Sequence, residues 1–302
     1  MTDIIFRAGC FVAIILLGFL LRKVGLFKKE DFSVLSKVVL KVTFPAAVVT
    51  SFAGRQIDPS MFILIGIAIL CAMVHMLIAV VVNLRKSPGQ KAFYLLNLTG
   101  CNIGNFTMPF VQSFMGPIGV IATGIYDTGN ALMVLGTNMG VASSIKCGSG
   151  FSIKRIGKAL RTSIPFLTYF TMLVLSMIGV NLPSAVTDLA GIIGAANPFL
   201  AMFMIGVGFE IGGERGQIGK IVRFLLLRYA IAAVFALVFW FALPFALEVR
   251  QALVIVAFSP IPNIVPAYVE ELGEDVGLSS AINSVAIICS IVINVILLSF
   301  IL

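Results

Sequence analysis

Charged residues are scarce in this chain: Asp, Glu, Lys and Arg make up 11% of its 302 residues, against about 25% in soluble proteins. Hydrophobic residues make up 60%, and the mean hydropathy is +1.10. A water-soluble fold of this length has too little polar surface to cover so many apolar side chains. The shortage of charge therefore argues against a soluble protein and indicates a chain that lies mostly within a bilayer.

The chain also lacks the patterns of metal, redox and nucleotide chemistry. It has one histidine and five cysteines without CxxC spacing, and neither a GxxxxGK[ST] phosphate loop nor an HExxH zinc motif occurs. The net charge of +8 comes from short basic tracts between apolar runs rather than from a basic arm. We therefore expect no cofactor, no metal and no nucleic-acid partner.

Long apolar runs dominate what is present. A transmembrane helix needs about 20 mostly apolar residues, so the runs predict an all-α polytopic membrane protein with ten transmembrane helices. The first run lacks a basic leader and a small-residue cleavage site, which favours a retained span over a signal peptide. The predicted spans are 4–21, 32–53, 61–82, 92–115, 118–145, 163–180, 186–209, 223–246, 251–272 and 277–302.

Lysine and arginine are distributed unevenly between the two sides of these spans. The connections after spans 1, 3, 5 and 7, with the first turns of span 8 (Arg223 and Arg228), hold sixteen of them, and the opposite side holds three. The positive-inside rule then predicts that both termini lie outside and that the basic connection 146–162 is cytoplasmic. We expect a multi-pass protein of the cell membrane, either plasma or inner.

The connection 146–162 divides the chain into residues 1–145 and residues 163–302, with five predicted spans each. An odd number of spans per half makes a structural repeat an inverted one. The sequence therefore predicts a 5+5 inverted repeat, supported by three matches at an offset of 153 residues. These matches are Pro45 with Pro198, Pro109 with Pro262, and Asn130 with Asn283.

Two predicted spans, the fourth and the ninth, contain clusters of helix-breaking residues. Span 4 includes Gly100, Gly104 and Pro109, and span 9 has three prolines within residues 260–266. Because hydrocarbon offers no partners for freed backbone groups, such breaks are tolerated only against protein or a water-filled cavity. Paired interruptions in two halves are typical of a transporter's binding site. A pair of ordinary proline kinks remains the alternative.

Asparagines accompany both clusters. Asn102, Asn105 and Asn263 each carry an amide that donates two hydrogen bonds. At a helix break they stand beside unpaired backbone N–H groups, whose partial positive charge suits a carboxylate. Neutral donors hold an anion without preventing its release, as a carrier requires. The alternative is that these amides only cap the freed backbone.

Three short runs resemble signatures of the auxin efflux carrier family. Asn102-Ile-Gly-Asn105-Phe-Thr-Met-Pro109 and Pro262-Asn263-Ile-Val-Pro266-Ala-Tyr-Val-Glu270 are similar to its two broken-helix motifs. Tyr126-Asp127-Thr-Gly-Asn130 is similar to its fifth-span motif. The resemblance covers the whole chain. That family includes plant auxin exporters and bacterial malate-permease-like carriers, and its architecture resembles that of bile acid/sodium symporters.

The resemblance implies a scaffold part, a transport part, and broken helices 4 and 9 that cross one another. It also implies that substrate binds at this crossing. The central connection is short, which favours compact bacterial-style members over auxin exporters, and a homodimer through the scaffold part fits the resemblance. The candidate substrate-binding residues are Asn102, Gly104, Asn105, Pro109, Pro262, Asn263 and Pro266.

Ionisable residues inside spans are rare and functional by default. Asp127 is either a proton or cation site, with Asn130 beside it, or a structural hydrogen-bond acceptor. Lys41 lies about 15 Å into span 2 and could attract an anion or pair with Asp127, a hypothesis independent of the resemblance. For His75, in the middle of span 3, a packing role is favoured over proton relay.

We interpret the chain as a secondary carrier of small organic anions such as malate-like or auxin-like carboxylates, working by alternating access and in the direction of efflux. The alternative is a sodium- or proton-coupled importer of the bile-acid-symporter type. A channel fits a gated, pseudo-symmetric crossing less well. An intramembrane enzyme is not expected, because no Ser/His pair has recognisable spacing.

Overall fold

The fold is known from a computed structural model that describes residues 2–148, 153–209 and 217–301. Over these ranges the chain is helical without β-strands, which confirms the predicted all-α class. The helices are α1 (Thr2–Lys23), α2 (Asp31–Val38), α3 (Phe44–Phe52), α4 (Ile63–Val82), α5 (Pro88–Leu98), α6 (Met108–Phe114), α7 (Pro117–Leu132), α8 (Asn138–Cys147), α9 (Ile153–Thr162), α10 (Ile164–Met177), α11 (Ser184–Ala195), α12 (Asn197–Gly208), α13 (Ile218–Phe241), α14 (Leu247–Ala257), α15 (Val265–Glu271) and α16 (Val276–Ile301).

Three of the helical joints are π-helical turns. They cover Val39–Thr43, Ile103–Thr107 and Met133–Thr137. In the first two cases the next helix carries a proline in its first turn, Pro45 or Pro109. Proline has no N–H and clashes with the preceding turn, so the wider turn lets the chain continue its helical direction.

Six helical stretches within the described ranges are long and apolar enough to cross a membrane. They correspond to predicted spans 2, 3, 5, 7, 8 and 10. A seventh is obtained if the bent pair Ile156–Thr162 and Ile164–Met177, which meet at 78°, is counted as one span. The six are Asp31–Phe52, Pro59–Val82, Pro117–Cys147, Ser184–Gly208, Ile218–Phe241 and Val276–Ile301.

The helices pack in two groups. In the first group α1 lies along α12, and α3 packs against α10 and α11. In the second group α4 packs on α7, α5 on α8, and α14 on both α7 and α13, with α16 against α13 and α15. The groups meet where α3 and α10 contact α7, where α12 contacts α6 and where α1 contacts α16.

The first group is held by close contact between helix backbones. A Cβ placed on Gly18 of α1 would lie 2.4 Å from the Phe203 carbonyl oxygen, and one on Gly206 of α12 would lie 2.0 Å from that of Ile15. No residue larger than glycine fits at these points without moving a helix. Small residues at helix interfaces permit such close approach inside membranes.

Contacts between connections define two ends of the bundle. At one end Lys146, in the last turn of α8, forms an ion pair with Glu274, which also lies against Gly89 at the start of α5. At the other end the Ser176 hydroxyl donates to the Arg55 carbonyl at 3.2 Å. The connections after predicted spans 3, 5 and 9 therefore lie together, as do those after spans 2 and 6. Arg215 and residues 149–152 of the predicted basic connections lie outside the described residues.

A glutamine joins the two groups of helices. Gln112 of α6 donates to the Gly194 carbonyl at 3.0 Å and accepts from the Asn197 amide at 3.1 Å. Asn197 also accepts from the Thr43 hydroxyl at 3.0 Å. These bonds connect the second group to the joint between α11 and α12 in the first.

Candidate functional site

Two non-helical segments of the second group lie against each other. The first follows α5 and covers residues 99–102, and the second follows α14 and covers residues 258–264. The Asn102 backbone N–H donates to the Pro260 carbonyl at 2.9 Å, and the Asn102 amide donates to Asn263 Oδ1 at 3.0 Å. The segments that the prolines and glycines single out in the sequence are thus in direct contact.

The first interruption depends on one glycine. Gly100 has φ +92°, in the left-handed region that residues with a Cβ avoid. A Cβ there would lie 2.4 Å from a methyl carbon of Val134. Conformation and space both require glycine, although the sequence analysis treats Gly100 only as one of several breakers.

Asn130 and Asn283, paired by the offset of 153, each brace one interruption. Asn130 donates to the Cys101 carbonyl at 2.9 Å and accepts from the Cys101 N–H at 3.0 Å. Asn283 donates to Asn263 Oδ1 at 3.5 Å. Asn130 also donates to Asp127 at 2.9 Å, which gives this buried carboxyl a hydrogen-bond partner.

A cavity of about 210 Å³, here called the Asn105 cavity, borders the first interruption. It lies between the two helix groups, since Leu40 and Tyr169 come from the first group and most of its wall from the second. Among the described residues that line it, Asp127 is the only one with a carboxylate or a basic side chain. The other predicted site residues on its wall are Asn102, Gly104, Asn105, Asn130, Pro262 and Asn263.

Asn105 is a free hydrogen-bonding group in this wall. Its side chain is 9% exposed, and its Oδ1 atom has no hydrogen-bond partner in the structure. A buried polar atom without a partner is costly and is commonly satisfied by a ligand or water. Asn105 therefore has unused capacity to bind a polar solute.

A second cavity, of about 280 Å³ and here called the Asn283 cavity, lies on the other side of Asn263. Its wall contains Pro266, Asn263 and Asn283 from the second group, and Lys29 and Phe32 from the first. Asn263 lines both cavities. Both volumes are below the ~300–1,000 Å³ of pockets for drug-sized ligands, so each suits a small solute.

Three predicted site residues line neither the Asn105 cavity nor the Asn283 cavity. Pro109 is buried in the first turn of α6, where it sets the helix start. Lys41 is exposed and adjacent to the lining residue Leu40, and it forms no ion pair with Asp127 in the described part of the chain. His75 is buried in α4, donates from Nδ1 to the Cys71 carbonyl at 2.9 Å and meets Phe235 edge to face. Its contacts support the packing interpretation.

Arg228, which the charge distribution assigns to the cytoplasmic side, is buried within the protein. It is 2% exposed and donates to backbone carbonyls of both interruptions. The signal was available, because Arg228 lies inside the predicted span 223–246, where an arginine is functional by default. Tyr169, a wall residue of the Asn105 cavity with an unpaired hydroxyl, has no comparable signal in the sequence.

The long apolar helices are those of a multi-pass membrane protein. Residues 10–146 match the model of a family described as membrane transport protein, a region that contains the first interruption and Asp127. A relative from Methanothermobacter thermautotrophicus, described as an uncharacterized transporter, is 26% identical over 206 residues. The match covers 66% of this chain and 65% of that relative, so just under two thirds of the relative's length is spanned. Both matches are to membrane transport proteins, and the family model covers slightly less than half of this chain.

Proposed function

We propose that this protein is a secondary carrier of small organic anions, with the substrate carboxylate bound at the contact between the two interruptions. The observation that carries the proposal is the Asn102–Asn263 hydrogen bond at the edge of a cavity between two helix groups. The amides of Asn102, Asn105 and Asn263 and the partial positive charge at the start of the turn Ile103–Thr107 give the cavity wall anion-binding chemistry without a cationic side chain.

The proposed membrane arrangement has ten spans as a 5+5 inverted repeat, with termini outside. In it α5 with α6, and α14 with α15, are two interrupted spans that cross at the Asn102–Asn263 contact. The equivalent bracing by Asn130 and Asn283 supports the repeat. The Lys146–Glu274 ion pair and the Ser176–Arg55 hydrogen bond bring connections together at two ends of the bundle. This grouping supports an arrangement in which successive spans run in opposite directions.

Alternating access would require the two helix groups to move relative to one another. Both cavities lie between the groups and include residues next to the predicted cytoplasmic connections, Lys29 and Ser163. Gln112 joins the groups elsewhere. We interpret the structure as a state open toward the cytoplasm, which suits loading for efflux. Export of an anion from a negative-inside cell gains about 2.3 kcal/mol per charge per 100 mV.

The alternative, coupling to a cation, is favoured by Asp127. An ionised carboxylate in the wall of a small cavity repels a carboxylate substrate, and a bound proton removes that repulsion. Asp127→Asn should therefore retain exchange of substrate across the membrane and lose the dependence of net flux on a proton gradient. If net flux of Asp127→Asn follows the proton gradient as in the wild type, Asp127 is not the coupling group.

The main experiment measures flux of radiolabelled malate, and of an aromatic monocarboxylate, in proteoliposomes under an imposed membrane potential. Asn105→Ala and Asn263→Ala are compared with Asn181→Ala, a matched change at an exposed position remote from both cavities. We expect saturable flux that the first two variants reduce on the order of 100-fold, because small losses of positioning have effects of that size.

Asn181→Ala should transport like the wild type. Absence of saturable flux for either acid would overturn this substrate class. Flux that persists in both Asn105→Ala and Asn263→Ala would mean that the contact between the interruptions is structural only, and that substrate binds elsewhere.

A further inference from the structure

Arg228 is a buried cation that donates hydrogen bonds to five backbone carbonyls. It lies in α13 and its guanidinium reaches both interruptions at once. The Nη1 atom donates to the carbonyls of Leu98 at 2.8 Å and Asn97 at 3.5 Å. The Nη2 atom donates to Gly100 at 2.9 Å, Ser259 at 3.0 Å and Pro260 at 3.2 Å.

Two of these oxygen atoms belong to the last turn of α5, and the other three lie just beyond the ends of α5 and α14. α5 ends at Leu98, and α14 ends at Ala257, two residues before Ser259. The last carbonyls of a helix have no partner within it, and they carry a partial negative charge. Arg228 therefore covers the negative end of α5 and the carbonyls two and three residues beyond the end of α14, while the start of the turn at Ile103 remains on the wall of the Asn105 cavity.

Carbonyl oxygens at such interruptions are the groups that coordinate a coupling sodium ion in transporters with broken helices, and the opposite helix ends face anionic substrates. In this chain the planar, permanently charged guanidinium already occupies that set of oxygens. A sodium ion needs several of the same oxygens and would meet a positive charge beside them.

We propose that Arg228 is a built-in cation that replaces a coupling sodium ion at the contact between the interruptions, and that it positions both segments without binding substrate. This inference rests on the proposed transport function and limits which ions can be coupled to transport. The carrier works without sodium, and either the membrane potential or a proton drives it.

The proposal is tested by thermal unfolding of the purified protein in detergent, with sodium, choline or millimolar guanidinium as the cation. Arg228→Ala, Arg228→Gln and Arg228→Lys are compared with Arg223→Ala, a matched change at an exposed position on the same helix. Wild type and Arg223→Ala should unfold at the same temperature in sodium and choline. Arg228→Ala should unfold at a lower temperature, and guanidinium should restore part of the loss, because the ion can donate to the same carbonyls.

Arg228→Lys should unfold at a higher temperature than Arg228→Gln, since it keeps the charge. Flux of the Ala variant should fall on the order of 100-fold and recover in part with guanidinium. If Arg228 acted only by filling space, guanidinium would change neither the unfolding temperature nor the flux of Arg228→Ala. That result, or a rise of the wild-type unfolding temperature or flux with sodium, would overturn the proposal.

The unfolding measurement needs no substrate. If guanidinium restores the stability of Arg228→Ala while the wild type transports neither acid, the anion-carrier proposal fails and the role of Arg228 stands. If the acids are transported but sodium drives the wild-type flux, the anion-carrier proposal stands and the proposed role of Arg228 fails.

Discussion

The Asn102 side-chain amide donates to Asn263 Oδ1 at 3.0 Å, although 161 positions separate the two residues in the sequence. The bond joins the first interruption to the second. It lies on the wall of the Asn105 cavity, to which both residues contribute. A substrate bound there would contact the groups that hold the two segments together, which couples occupancy of the cavity to the geometry of both interruptions.

The first prediction concerns the strength of this bond. Asn102→Ala, Asn263→Ala and the double variant should give a coupling free energy of about 0.6 kcal/mol, and at most about 1.7 kcal/mol, the range found for hydrogen bonds inside membrane proteins. Unfolding in mixed detergent measures it. Asn102→Ala combined with Asn181→Ala should be additive. Strict additivity in the Asn102 and Asn263 cycle would mean that the bond does not stabilise the fold.

The second prediction concerns Gly100. Gly100→Ala should destabilise the protein by about 1–2 kcal/mol from the left-handed backbone and by about 1–3 kcal/mol more from overpacking against Val134. The control is Gly54→Ala, which has φ +67° and nothing within 4 Å of the added Cβ. It should show the backbone cost alone. Equal unfolding free energies for the two variants would contradict the clash with Val134.

The third prediction concerns the contact between α1 and α12. Gly18→Ala should lower the free energy of unfolding, because its Cβ would lie 2.4 Å from the Phe203 carbonyl oxygen. Gly9→Ala, on the same helix with nothing within 4 Å, should leave stability unchanged or raise it by up to about 1 kcal/mol through helix propensity. Thermal unfolding compares the two, and a neutral Gly18→Ala would show that the helices can separate freely.

The fourth prediction concerns membrane orientation. Cys147 at the end of α8 is exposed, and a variant that keeps it while the other four cysteines are replaced by alanine offers one accessible thiol. A membrane-impermeant maleimide should label it in inside-out vesicles and not in intact cells. A matched variant with Asn181→Cys as its single thiol should show the opposite pattern. Labelling of Cys147 from outside would reverse the predicted orientation.

Composition and breaker residues predict a large part of this fold. The apolar runs identify the helical stretches because a spanning helix must satisfy its backbone internally. The glycine and proline clusters identify both interruptions, since few other residues disturb a helix so strongly. The asparagines beside them were assigned to one site, and Asn102, Asn105 and Asn263 do border one cavity.

The sequence does not determine which way each side chain points in the packed structure. Lys41 and Leu40 are neighbours, yet only Leu40 lines the Asn105 cavity, because a rotation of one residue turns a helical side chain by about 100°. Arg228 was misassigned for a related reason. Its position inside predicted span 8 indicates a functional cation, but only the packed structure shows that it points to carbonyls from two distant segments.

The Gln112 contacts have an energetic consequence for movement between the helix groups. Neutral hydrogen bonds contribute about 0.5–1.5 kcal/mol each, so the bonds to Gly194 and Asn197 add only a few times thermal energy to the helix packing between the groups. Hydrogen bonds of this strength keep one state populated and can break without an external energy source. Nothing in its chemistry selects the direction of opening, so the direction of net transport would be set by the gradients on either side.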